Sequence, residues 1–206
     1  MAQITTGLRS ILSASFAYDT FQRAVGATRA RKIICRDHLR VRDGDVFVDV
    51  GCGTAEILAH LPRNISYYGF DLSQQYIDTA QSRYGDRATF HCADISQLPI
   101  NAIPQCNIAL SFNVLHHLDD HEATRILEHV HDRLLPGGRF ITIDPAFAVG
   151  QSKIAHAVIK WDRGQNVRDG AGYAALAKNR YRESNVKVRH DLLNIPYTHA
   201  LVEHIK

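Results

Sequence analysis

The run VDVGCGTAEI, Val48 to Ile57, decides the fold. With Val46 and Phe47 ahead of it, its first residues are the branched and aromatic side chains of a buried strand. Gly51 and Gly53 then withhold two β-carbons in three positions, which permits a tight turn and close approach of a ligand to the backbone. Thr54 is placed to cap a helix that begins with Ala55 and Glu56. Strand, glycine turn and helix, in that order, is how a parallel α/β sheet presents backbone N–H groups to a nucleotide-like ligand.

Outward from this turn the pattern repeats. Strands are predicted over Val46–Val50, Tyr67–Asp71, Ala88–Ala93, Asn107–Phe112 and Arg139–Ile143. Helices are predicted over Thr54–His60, Ser73–Tyr84 and Asp120–Leu135. The last carries Ala123, Ile126, Leu127, Val130 and Leu134 as an apolar stripe, and Pro136–Gly138 ends it. Ser73 is the expected cap of its helix. Repeated βα units of this length imply a doubly wound parallel sheet with helices on both faces. Beyond it, helices are expected near Ser152–Lys160 and Gly170–Tyr181. Two closing strands, Val186–Leu193 and His199–Ile205, are joined by so short a link that they should run antiparallel.

Composition fits one soluble domain. The 206 residues are 45% hydrophobic, the mean hydropathy is −0.20, and no apolar run is long enough to span a bilayer. The first residues read as an amphipathic helix and not a signal peptide. Cys35, Cys52, Cys92 and Cys106 are scattered without a CxxC pair, which points to a reducing cytoplasm and away from zinc or a disulfide framework. The net charge of +3 is uneven: +4 over residues 1–45, −6 over 46–150 and +5 over 151–206. These are solvated helix faces, or two basic ends that cover a site for an acidic substrate. The imbalance falls short of the dense basic stripe that nucleic acid demands.

A dinucleotide fingerprint would place a third glycine where Glu56 stands, and a pyrophosphate there would meet a carboxylate. A cationic or neutral ligand fits better. At this point VDVGCGTAE resembles the first motif of the class I S-adenosylmethionine-dependent methyltransferases. YYGFDLS, FHCADISQLP, IALSFNVLHHLDD and LLPGGRFITIDP follow in the family's order, over roughly residues 45–145. The chain as a whole is similar to small bacterial methyltransferases of unassigned substrate. The resemblance implies a Rossmann-like seven-stranded sheet, mostly parallel, closed by an antiparallel C-terminal hairpin. It implies one domain over 1–206: a helical cap (1–45), a cofactor core (46–145) and an acceptor side (146–206).

It also implies site roles. S-adenosylmethionine, leaving as S-adenosylhomocysteine, would be held by Asp49, Gly51, Cys52, Gly53, Asp71, Leu72, Asp94, Ile95 and Asn113. Asp71 would take the ribose hydroxyls and Asp94 the adenine amino group. Asp49 would orient the turn or reach the amino group through water. Tyr18 and Gln22 would close over the cofactor from the N-terminal helix, where Tyr18 and Phe21 could stack near the sulfonium. A base is needed only where the acceptor must lose a proton. The candidates are His116 and His117; neighbours in a strand-like segment point opposite ways, so one of them faces the substrate, and the resemblance implies His116, which falls at the family's acceptor-facing position. Arg163, Arg168, Tyr173, Tyr197 and His199 would line the acceptor pocket, with arginines gripping an acidic group. No metal is expected. The acceptor reads as a small polar or acidic metabolite, with neither nucleic acid nor membrane as partner, and the protein as a monomer or homodimer. A non-catalytic binder of the same cofactor remains the alternative.

Overall fold

The computed structural model describes residues 25–161, 164–177 and 179–206. Helix α1 (Ala27–Ile33) passes directly into a π-helix, Ile34–Leu39, that ends at Arg40 with a left-handed φ of 51°. The widened turn leaves carbonyls at its end without helical partners. Arg139 supplies them, donating to His38 O at 3.1 Å and Leu39 O at 2.5 Å. Arg139 and Arg40 both pair with Glu203.

The core alternates β1 (Val46–Val50), β2 (Ser66–Asp71), α2 (Gln74–Tyr84), β3 (Ala88–Cys92), β4 (Cys106–Phe112), α3 (Asp120–Arg133) and β5 (Leu134–Phe147). After it come α4 (Lys153–Lys160), the two-residue β6 (Arg168–Asp169), α5 (Gly170–Ala175), β7 (Glu183–Arg189) and β8 (His199–Ile205). The sheet order is β3-β2-β1-β4-β5-β8-β7, with β6 alongside the end of β5. β1 to β5 pair in parallel, and β8 runs antiparallel to both β5 and β7.

Both faces of the sheet are covered, so the central strands are predominantly apolar. Val48, Phe70, Ala109 and Phe140 pack on one face with Leu127 and Val130 of α3. Phe47, Tyr67, Leu110 and Ile141 pack on the other with Ile34, Leu39 and Leu58. Ser73 caps α2 by accepting from Tyr76 N, Ser152 caps α4 by accepting from Ala155 N, and Asp119 forms a reciprocal capping box with Glu122 on α3.

Several expectations need correction. Residues 54–60 form no capped α-helix. They form a 3-10 turn, Glu56–His60, preceded by Ala55 at φ 56° with no side-chain cap. Gly51, Gly53 and Ala55 all take positive φ, so the turn extends past Thr54 before any helix can begin. Pro136–Gly138 does not follow the helix as a stop. α3 ends at Arg133, and the three residues lie within β5, where the register against β4 shifts. β7 starts three residues earlier than expected, at Glu183, because its pairing with β8 sets Glu183 opposite Ile205. α5 ends at Ala175, short of Tyr181. The closing hairpin is antiparallel as expected, with β8 lying between β5 and β7, and only the two-residue β6 adds an eighth strand to the seven expected.

Candidate active site

The carboxyl ends of β1, β2, β4 and β5 share one edge of the sheet, and the functional side chains gather there. The glycine turn opens it. Gly51 adopts φ 71°, and a Cβ there would stand 2.4 Å from Val114 Cγ2, so only glycine fits between the turn and the segment after β4. Gly53 adopts φ 54° with nothing within 4 Å of a Cβ position, which leaves its face open to a ligand. Gly51 N and Cys52 N donate to Phe70 O at 2.7 and 3.0 Å. Asp71 accepts from Gly53 N at 2.9 Å and from Ser73 N at 2.8 Å, tying the turn to the end of β2. Cys52 rests over Gly69, where a Cβ would come within 2.8 Å of its sulfur.

Asp49 lies beneath the turn, buried, and accepts from the Tyr67 hydroxyl at 2.5 Å. Burial pushes its carboxyl up to about 7, with the Tyr67 hydrogen bond opposing and the nearby Asp71 charge adding to the rise. Burial likewise raises the Cys52 thiol, helped by Asp49 and Asp71. Past β3, Asp94 accepts from Ser96 N at 2.9 Å and Ser96 Oγ at 2.7 Å, which fixes the turn that carries the buried Ile95. Leu72 is exposed beside Asp71. Asn113 is also exposed, in left-handed conformation at φ 60°, and donates its N–H to Ile143 O. Glu56, the residue that departs from the dinucleotide fingerprint, pairs with Arg83 of α2.

His116 and His117 belong to a 3-10 turn, Leu115–His117. Their rings lie against each other, centroids 3.9 Å apart, and do not diverge as strand neighbours would. In a 3-10 turn of three residues per turn, neighbouring side chains stand about 120° apart around the axis and not opposite one another, which lets the two rings meet. His116 is buried, with Nδ1 2.8 Å from Asp144 Oδ1, and its backbone N–H donates to the same oxygen at 3.1 Å. Asp144, near the end of β5, is buried too, and its Oδ2 has no hydrogen-bond partner. Asp144 was not singled out from sequence. The signal available was a charged residue in the otherwise apolar strand FITIDP.

The expected acceptor-side residues divide. Arg168 places every N–H of its guanidinium on Leu115 O, Leu118 O, Asn166 O and Asp120, which leaves it no donor for a substrate. Tyr173 is a core side chain whose hydroxyl donates to Pro145 O at 2.9 Å. Both side chains are thus engaged by the protein's own backbone and Asp120. His199 is buried at the start of β8 with the half-buried Tyr197 against it, ring centroids 4.8 Å apart. Tyr18, Gln22, Phe21 and Arg163 lie outside the described residues. Among the described residues no group of three or more His, Cys, Asp or Glu is arranged to hold a metal ion, and no helix is long and apolar enough to cross a membrane.

Residues 47–138 match a family model described as a methyltransferase domain. The chain is 30% identical over 105 residues to an uncharacterized methyltransferase of Geobacillus thermodenitrificans, covering 50% of this chain and 48% of that one. The match thus spans about half the length of the curated relative. Among solved structures, the pyocyanin biosynthetic protein PhzM superposes with a TM-score of 0.73 at 17% identity, over 98% of this chain and 63% of that one. The magnesium protoporphyrin IX methyltransferase of Synechocystis PCC 6803, solved with bound S-adenosylhomocysteine, superposes with a TM-score of 0.65 at 16% identity, over 95% and 97%. At these identities the likeness to the solved structures is one of fold.

Proposed function

We propose that the chain, whose residues 47–138 match a methyltransferase domain, is a class I S-adenosylmethionine-dependent methyltransferase that transfers a methyl group to the hydroxyl of a small molecule. One juxtaposition carries this reading: a carboxylate-ringed glycine turn meets a buried His116–Asp144 pair, with Val114 packed against Gly51 between them.

The residues fit the cofactor. Asp49, Asp71 and Asp94 lie close to or just past strand ends on this edge, beside the open face of Gly53. Such a site favours a ligand that bears a sulfonium and an ammonium and has no phosphate. S-adenosylmethionine supplies an electrophilic methyl group on a good, neutral leaving group. Asp71 would hold the ribose hydroxyls, Asp94 with Leu72 and Ile95 would hold the adenine, and Gly53 with Asp49 would hold the methionyl end. The leaving group needs no acid, so orientation and exclusion of water do most of the work.

His116 takes the proton of the acceptor hydroxyl at Nε2. Asp144 accepts from Nδ1, which fixes the tautomer and stabilises the imidazolium. Such a base contributes about 10²- to 10⁴-fold. The acidic-metabolite expectation loses its support from Arg168, so a hydroxyl acceptor is the reading the described residues favour.

Isothermal titration with S-adenosylhomocysteine tests the cofactor half. Wild type should bind and Asp71→Ala should lose most of that affinity. Transfer of a labelled methyl group to a panel of small hydroxyl compounds tests the rest, with His116→Gln losing turnover and keeping cofactor binding. A folded wild type that binds no S-adenosylhomocysteine would sink the proposal. Binding without transfer to any acceptor would favour a non-catalytic binder.

A further inference from the structure

Of the five guanidinium N–H donors of Arg168, two reach the turn that carries the histidines, two reach Asp120 just beyond it and one reaches Asn166. Nη1 donates to Leu115 O at 3.1 Å and Asn166 O at 2.9 Å. Nη2 donates to Leu118 O at 2.9 Å and to Asp120 Oδ1 at 2.6 Å, and Nε to Asp120 Oδ1 at 2.9 Å. Leu115 and Leu118 bracket His116 and His117. The guanidinium carbon also sits 5.7 Å from the centroid of the Tyr173 ring, and Tyr173 holds Pro145 O, one residue past Asp144. One side chain therefore spans the supports of both members of the pair.

The same segment wraps the histidine from outside. Asn166 N donates to His116 O at 2.9 Å. Gly164 approaches so closely that a Cβ there would stand 2.0 Å from His116 Cδ2. The Arg168 side chain is only 12% exposed, so these bonds are little weakened by solvent.

We propose that Arg168 is a positioning residue for the His116–Asp144 pair. It fixes the 115–118 turn through its carbonyls and the backbone after Asp144 through Tyr173, and so keeps Nδ1 of His116 on the carboxylate. The planar fork is required, because no single ammonium can serve carbonyls in several directions at once. The inference rests on His116 acting as the base, but its test needs no turnover.

The test is proton–nitrogen NMR of imidazole-labelled protein. Wild type should show a hydrogen-bonded Nδ1–H of His116, assigned by its loss in His116→Gln. Arg168→Lys keeps the attraction to Asp120 and loses the carbonyl contacts. It should unfold cooperatively, yet its Nδ1–H should exchange with water about tenfold faster, the effect of about one hydrogen bond. Asp120→Asn, which spares the carbonyl bonds, should leave the signal in place. If Arg168→Ala fails to fold, Arg168→Lys and Tyr173→Phe decide. An unchanged His116 signal and exchange rate in folded Arg168→Lys would overturn the proposal, as would a wild type without the Nδ1–H signal. A wild type that shows the signal but methylates nothing would remove the catalytic reading and leave the positioning result standing.

Discussion

Two buried groups on opposite sides of the sheet should set opposing slopes in stability against pH. Asp49 rises from an ordinary 3.8 to about 7, chiefly through burial. Its folded-state pKa lies above its unfolded one, so stability is fully present below pH 3.8 and is lost as pH rises to about 7. At about 1.4 kcal/mol per pKa unit, the loss amounts to about 4 kcal/mol. His204, wholly buried in β8 with Nδ1 2.8 Å from Ser184 Oγ, falls from 6.5 to about 4 through burial. Its folded-state pKa is depressed, so stability is present above pH 6.5 and is lost as pH falls through about 4. That loss is about 3 kcal/mol. The two nearly cancel, and wild-type stability should be almost level between pH 4 and 6.5.

Asp49→Asn removes one slope and keeps an acceptor for Tyr67. Its stability should climb by about 3 kcal/mol from pH 4 to 6.5, and at pH 7 it should exceed wild type by about 4 kcal/mol. His204→Gln should show the reverse slope. Urea unfolding followed by circular dichroism across this range reads both. If wild type and Asp49→Asn run parallel between pH 4 and 7, burial of Asp49 does not govern its ionisation and the argument fails.

Gly51→Ala combines a strained positive φ with a clash against Val114, and should cost about 2–3 kcal/mol in thermal or urea unfolding. Adding Val114→Ala should recover the clash but not the backbone cost, leaving about 1 kcal/mol. Tyr173→Phe strips the hydrogen bond to Pro145 O and should lower stability by about 1–2 kcal/mol in the same assay. Asp144→Asn should leave S-adenosylhomocysteine affinity unchanged and lower methyl transfer at least about tenfold; equal turnover would detach Asp144 from the chemistry.

Local chemistry made much of this legible beforehand. β1 and β8 fall on their predicted residues because each is a short apolar run with abrupt ends. The Ser73 cap was readable because a cap acts within three residues. The misreadings share a different cause. Thr54 looks like a cap, but positive φ at Gly51, Gly53 and Ala55 displaces the helix, and backbone conformation at Ala55 leaves no trace in composition. The task of Arg168 was hidden because Leu115 and Leu118 are 53 and 50 residues away in sequence. An arginine near an expected pocket reads as a free cation until the fold shows which carbonyls it meets. Asp144 was hidden by the same separation, 28 residues from the histidine it holds.

The position of β8 has a consequence for biosynthesis. β5 and β7 do not pair with each other, and each forms an antiparallel ladder with residues 199–205. As the nascent chain leaves the ribosome, the parallel half can assemble while the flank of β5 stays unpaired. Until residues 199–205 emerge, that flank is a bare edge of the kind that recruits other chains. A ribosome stalled before His199 should therefore display a chaperone-dependent intermediate, and release of the last strand should abolish that dependence. Solubility of this fold is then a matter of timing as well as of sequence.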